Sequence, residues 1–171
     1  MARESQRTKK VAATFLWRHC VSHQHIKEAV SALLAAASTP PARCLTPYVL
    51  ADLRQEFRRL IQSAERGDLT PYEECKPIRV DPEVYEIRWT DISLPRKDAL
   101  GLWMEPDHAH FRLYYGEPAE ALWFLGLHAH EKSILDDDGD ETTRQQDIEI
   151  NHAVTIYRHS EDHWGIPELP L

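Results

Sequence analysis

The sequence has only three cysteines, Cys20, Cys44 and Cys75, widely spaced and without a C-x-x-C pair. That pattern argues against a disulfide scaffold or a zinc ribbon and leaves reduced, structural thiols as the expectation. Long apolar runs are also missing. The longest, "AVSALLAAA", is about half of the roughly 18 residues needed to cross a bilayer, so no membrane partner is expected. Nor does the opening "MARESQRTKK" lead into an apolar stretch, because Arg18, His19 and His23 interrupt it early. The expected location is cytoplasmic. Internal repeats are absent as well.

What is present suits a folded domain with its own core. The chain has 171 residues, 42% of them hydrophobic. Its net charge of −8 is unevenly spread: residues 1–67 carry 11 Lys/Arg against 5 Asp/Glu, and residues 68–171 carry 9 against 23. A basic first part could meet nucleic acid, or fold against the acidic remainder. Overall acidity opposes a nucleic-acid reading, since phosphate neutralisation supplies most of that affinity.

The first ten residues are polar and are expected to fray. "VAATFLWRHC" reads equally as a strand or a first helical turn. From Gln24, Ile26, Val30, Leu33 and Leu34 fall at helical spacing, and "STPPAR" stops that helix near Ala37. Thr46-Pro47 has the form of an N-cap followed by the first helical position, and Gly67 that of a stop. Together these segments predict a helical hairpin. Tyr85, Ile87 and Trp89 then alternate with Glu86 and Arg88, which predicts a strand with one buried and one polar face. "SLPRKDALGLWMEPD" reads as a connection. "HAHFRLYYGEPAEALWFLGLHAHEK" reads as a hairpin turning at "GEPA". After the acidic loop Asp136 to Glu141, Thr143 with Gln146 forms a capping box that predicts a final helix to Arg158, followed by a tail.

Strand parity sorts the chemistry. Phe111, Leu113 and Tyr115 share one parity with each other, as do Trp123, Leu125 and Leu127, and both sets are expected to pack on the helices. The opposite parity gathers His108, His110, Arg112 and Tyr114 on one strand, and His128, His130 and Lys132 on its partner. Glu86, Arg88 and Thr90 come from the earlier strand. A two-residue turn at Glu117-Pro118 would set His108 opposite His128. Three uses of such a face compete. Paired His-x-His could bind zinc, although the neighbouring Arg88, Arg112 and Lys132 would repel a divalent ion. Arg and Lys could hold a phosphodiester while His moves protons. The solvent face of an antiparallel sheet is, finally, polar in any case.

Residues with specific order and spacing bear on that choice. "YEIRW", "FRLYY" and "LWFLGLHAHEKS", followed by "QQDIEINHAVTIY", resemble the RelE/ParE toxin superfamily, with closest likeness to its HigB-like and phage-derived RelE-like branch. Tyr85-Glu86-Ile87-Arg88, Arg112-Leu113-Tyr114-Tyr115 and Leu127 to Ser133 occupy the places of the motifs of that branch, and Ile148-Glu149 with Ala153 resembles its closing helix. The likeness covers about residues 48–158. It implies an α+β, RelE-like fold: a helical hairpin on a small antiparallel sheet with a C-terminal helix, in a toxin domain over residues 46–171. Residues 1–45 form an N-terminal helical extension that could include a first strand.

The resemblance also implies the toxin of a type II toxin–antitoxin system, an endoribonuclease that cuts mRNA at the ribosome without metal or other cofactor. Its partners would be mRNA, the ribosome and a helix-turn-helix antitoxin in a hetero-oligomer. Arg88, Arg112 and Lys132 match basic residues of the family site, and Glu86 lies on the same face. Arg112 and Lys132 are assigned to the phosphate, and His128 or His130 to proton transfer. His108, His110 and Tyr114 are weaker substrate-binding candidates. The chain departs from the pattern in the long segment 91–107, in Ser133 where a second Lys is usual, in the acidic loop, and in Glu131, which sets a negative charge beside the site. Two alternatives follow: a ParE-like non-catalytic inhibitor of a target such as DNA gyrase (or a degenerate member of the family), and a metal-dependent hydrolase.

Smaller signals read as structural. His19, Cys20, His23 and His25 cluster without an evident fourth zinc ligand. "DDDGDE" lacks the frame of a calcium loop. Cys44 and Cys75 have no partner base and read as packing residues, and Tyr157, Arg158 and His159 as the end of a helix.

Overall fold

The computed structural model describes residues 4–119, 121–132 and 139–159. Ser133, the first residues of the acidic loop (136–138) and the tail from residue 160 lie outside them. The fold is α+β. Strands β1 (Thr14–Trp17), β2 (Cys75–Pro77), β3 (Val84–Lys97), β4 (Trp103–Gly116) and β5 (Trp123–Glu131) form one sheet, in the order β1-β5-β4-β3-β2. All neighbours run antiparallel except β1 and β5, which are parallel. Helices α1 (His25–Ala37), α2 (Pro47–Arg66) and α3 (Gly139–His159) complete the order.

The predicted helical hairpin is present, and its ends form for the reasons read from the residues. Thr46 caps α2 through its hydroxyl, which accepts from the Val49 amide at 3.3 Å, and Pro47 opens the helix. Gly67 closes it at φ +72°. A side chain there would be strained and would press on the backbone of Val11, whose nitrogen lies 2.5 Å from a built Cβ. One face of α1 and α2 buries Val30, Leu33, Phe57, Leu60 and Ile61 against Phe15, Ile87, Trp89, Phe111 and Leu113 of the sheet. Phe57 sits edge-on to both Trp89 (5.4 Å) and Phe111 (5.1 Å).

The opposite face of the sheet carries a second core under α3, built from Leu16, Val84, Tyr114, Trp123, Leu125, Leu127, Ala153 and Tyr157. Both apolar hairpin sets pack on helices, as expected, but on opposite faces of the sheet. Phe111, Leu113 and Tyr115 pack on the helical hairpin, whereas Trp123, Leu125 and Leu127 face α3. A β-bulge explains the switch. Between the pairs Tyr114↔His128 and Tyr115↔Gly126 an extra residue, Leu127, enters β5 and reverses the alternation.

Four other expectations change. Residues 91–107 are mostly strand, so β3 and β4 form a long hairpin whose turn lies at residues 98–102. The β4–β5 connection runs from Glu117 to Leu122, not through a two-residue turn, and Glu117 is buried, its amide donating to the Glu83 carbonyl. Helix α3 begins at Gly139, so Thr143 and Gln146 lie inside it and not at its cap. The N-terminal arm is not frayed over its described part. Arg7 is fully buried, donates to the Val11 and Ala64 carbonyls, and lies 3.7 Å from Glu117; Ser5 donates to Glu117 at 2.6 Å and meets the Tyr115 hydroxyl at 2.7 Å. A polar sequence hid this anchor because its partners, Tyr115 and Glu117, lie over a hundred residues away.

Candidate functional site

Register places the candidate residues on two neighbouring rungs of the sheet. Lys76, Glu86, Tyr114 and His128 form one rung across β2, β3, β4 and β5. Arg88, Arg112 and His130 form the next. Because same-face residues two apart along a strand are about 7 Å apart, these side chains share one surface patch. Lys132 joins it at the end of β5, its amide donating to the His110 carbonyl at 2.7 Å. Alternation thus brings most of the candidate face together, but in another register than expected. His128 faces Tyr114, whereas His108 faces Ser93 and bonds Asp91 at 2.6 Å beside the β3 bulge, away from the patch.

Burial divides the patch. Glu86 and Arg112 are 3% and 2% exposed. The Arg112 Nη1 donates to the carbonyls of Trp89 (3.3 Å) and Phe111 (2.8 Å), while its Nε lies 3.5 Å from Glu86. Arg88, more exposed, faces Glu86 at 3.5 Å and donates to the Tyr72 carbonyl at 2.7 Å. Arg112, assigned from sequence to the phosphate, is thus held below the surface beside Glu86. Lys76, Arg88 and Lys132 are the cations of the patch that reach solvent. Glu131 does not burden this face. It pairs with Arg43, which also holds Asp107 at 2.6 Å, and it shares the parity of Phe111 on the other side of the sheet.

Three rings stack along the patch. His130 lies between Tyr114 (5.5 Å, 17°) and His128 (5.5 Å, 11°). Helix α3 contributes two groups that the sequence reading had not placed in the site: the Glu149 carboxylate, 2.6 Å from the His128 Nε2, and His152, edge-on to the same ring at 5.1 Å. Their i, i+3 spacing on one helix face was the available signal. Burial lowers the His128 pKa, and Glu149 opposes that shift. Burial also lowers His110 and Lys132, with Arg112 adding repulsion to each. The Tyr114 phenol is raised, first by burial and then by Glu86.

Seven buried side-chain polar atoms among the described residues make no hydrogen bond, and five of them lie here: Glu86 Oε2, Arg88 Nε, Arg112 Nε, Tyr114 Oη and His130 Nε2. Natural folds leave few such atoms, because each costs free energy, and their concentration here makes this patch the candidate site, although Arg88 Nε and Arg112 Nε each lie 3.5 Å from the Glu86 carboxylate. The described residues contain no group of three or more His, Cys, Asp or Glu placed to hold a metal ion. Cys75 lies outside the site. It is buried against the Tyr115 hydroxyl at 3.1 Å, and burial pushes its thiol up to about 11.

His130 carries a stability prediction. Its Nδ1–H donates to the Glu131 carbonyl, and burial pulls its pKa down from 6.5 to about 4. Between those values the unfolded chain binds a proton that the folded chain refuses. Stability is therefore full above pH 6.5 and declines as the pH falls towards 4. His130→Phe keeps the stack and cannot titrate, so its loss between pH 7 and 4.5 in urea denaturation should be smaller than that of the wild type. Equal losses would refute the assignment.

No protein-family model matches the chain, and no curated protein or solved structure is significantly similar to it.

Proposed function

We propose that the chain is a RelE-like toxin of a type II toxin–antitoxin pair, a metal-independent endoribonuclease acting on mRNA at the ribosome. The observation that carries this reading is the two-rung patch, where cations, a carboxylate and paired imidazoles meet with five polar atoms left unbonded. The order of elements supports it, with β1 supplying a first strand ahead of the helical hairpin. In the proposed reaction the 2′-oxygen attacks the adjacent phosphorus, the bond to the 5′-oxygen breaks, and a cyclic phosphate and a free 5′-hydroxyl result. Arg88 and Lys132 stabilise charge on the phosphoryl oxygens. His128, oriented by Glu149, takes the 2′-proton, and Lys132, its ammonium acidified by burial, protonates the leaving oxygen. Arg112 and His130 position Glu86 and His128 from below. A helix-turn-helix antitoxin is the expected partner.

The test is incubation of the purified protein with a defined mRNA, with and without ribosomes and in the presence of a chelator, followed by mapping of RNA 5′ ends. Cuts within codons that persist in chelator and fall about a hundredfold in Lys132→Ala are expected. Intact message would sink the reading. One observation favours a second one, a ParE-like non-catalytic inhibitor: the burial of Arg112 leaves fewer cations within reach of a phosphate. That reading expects Lys132→Ala and His128→Ala to keep full toxicity, with DNA supercoiling as the activity affected.

A further inference from the structure

Beside the patch lies a cleft of about 370 Å³ between α3 and the segment from β2 to Val80. That volume is at the small end for ligand pockets, which start near 300 Å³, and suits one nucleotide unit better than a peptide helix. Pro77 and Ile78 form one apolar wall and Ile150 another. Gln146, Asp147 and Asn151 line it from α3, and their side chains make no hydrogen bond with any described residue. Glu86 lines it too, and its buried Oε2 makes no hydrogen bond while lying 3.5 Å from the Arg112 Nε. Lys76, the register neighbour of Glu86, and Arg79 stand at the rim without an ion-pair partner among the described residues.

We propose that this cleft receives a guanine base of the RNA, that of the nucleotide next to the scissile phosphate, an inference that rests on the endoribonuclease reading. The sharing of Glu86 fixes the adjacency, since one residue belongs both to the cleft and to the two-rung patch. Apolar side chains from both β2 and α3 suit a heterocycle, and the cations Lys76 and Arg79 suit its phosphate. The choice of base follows from hydrogen-bond polarity. Asp147 and Glu86 can only accept when ionised, so the favoured ligand edge offers adjacent donors. Guanine presents N1–H beside its 2-amino group. Adenine and cytosine set a single amino group beside a ring acceptor, and uracil sets its one N–H between two carbonyls that would face the carboxylates. The amides of Gln146 and Asn151 can donate to the guanine O6.

The experiment measures calorimetric binding of guanosine, adenosine and cytidine 3′-monophosphates to the intact protein, in parallel with mapping of its RNA cuts. Guanosine 3′-monophosphate should bind about tenfold or more tightly than the other two, the discrimination expected of a good edge contact. Asp147→Asn, an isosteric change at an exposed position, should erase that preference, and with it any bias of cuts towards guanine. Ile150→Trp, which fills the cleft, should weaken all three ligands. Equal binding of the three nucleotides, or a guanine preference that survives Asp147→Asn, overturns the inference even if RNA is cut. Guanine-selective binding by a protein that leaves RNA intact keeps the ligand of the cleft and overturns the endoribonuclease reading instead.

Discussion

Phe57→Ala is expected to lower the unfolding free energy by about 3–5 kcal/mol, read as a shift in the urea midpoint. Phe57 is fully buried, and its ring is the point where α2 meets β3 and β4, edge-on to Trp89 and Phe111 at once. Truncation loses its transfer free energy and opens a cavity that two rigid strands cannot close. It also removes two aromatic contacts, each worth about 1 kcal/mol. The effect should reach the other side of the sheet. Trp89 and Phe111 are the residues whose carbonyls accept from Arg112, and their strand neighbours Arg88 and Arg112 carry the second rung of the patch. Phe57→Leu, which keeps most of the volume, should cost less than half as much. A loss under about 1 kcal/mol for Phe57→Ala would mean that the helical hairpin does not hold the strands in place.

The helical hairpin was legible because local signals agreed: apolar residues at helical spacing, Thr46-Pro47 at the start and Gly67 at the end. Composition of the candidate face was legible for a similar reason, since alternation along a strand needs no knowledge of its partner. Register was not. It depends on where the chain inserts an extra residue; Gly126 beside Leu127 marks a permissive place in β5 but not the insertion itself, and the irregularity between Trp89 and Ile92 in β3 has no glycine or proline to announce it. The bulge at Leu127 moved Leu125 and Leu127 to the α3 side, and the longer connection from Glu117 to Leu122 set Tyr114, not His108, opposite His128. Burial of Arg112 was hidden for another reason. A guanidinium beside a carboxylate reads as surface chemistry until the carbonyls of Trp89 and Phe111 are seen to accept from it. Glu149 and His152 lie on a helix whose docking onto the sheet is set by tertiary packing alone.

The other large effect expected is on catalysis. His128→Ala should reduce the rate of RNA cleavage by about 10²–10⁴, the usual contribution of a positioned general base. The reasoning starts from proton inventory. The His128 Nε2 sits 2.6 Å from Glu149, so in the neutral ring the proton lies on that nitrogen and Nδ1 keeps the lone pair that accepts the 2′-proton. The groups that bear on this ring are Glu149, which raises its pKa, and His152 and His19, which lower it along with burial. The base must be neutral to act, so cleavage should fall on the acid side as the ring protonates. Glu149→Gln removes the one group that raises the pKa, and the acid limb of the rate profile should therefore move to lower pH while the maximum rate drops, because a less basic imidazole is a weaker acceptor. Glu149 is a positioning residue in this account, and a merely structural role would reduce the rate without moving the limb. Lys132→Ala should act on the other side, flattening the alkaline limb by removing the group that must stay protonated. A His128→Ala protein that cuts RNA at the wild-type rate would rule out this division of roles.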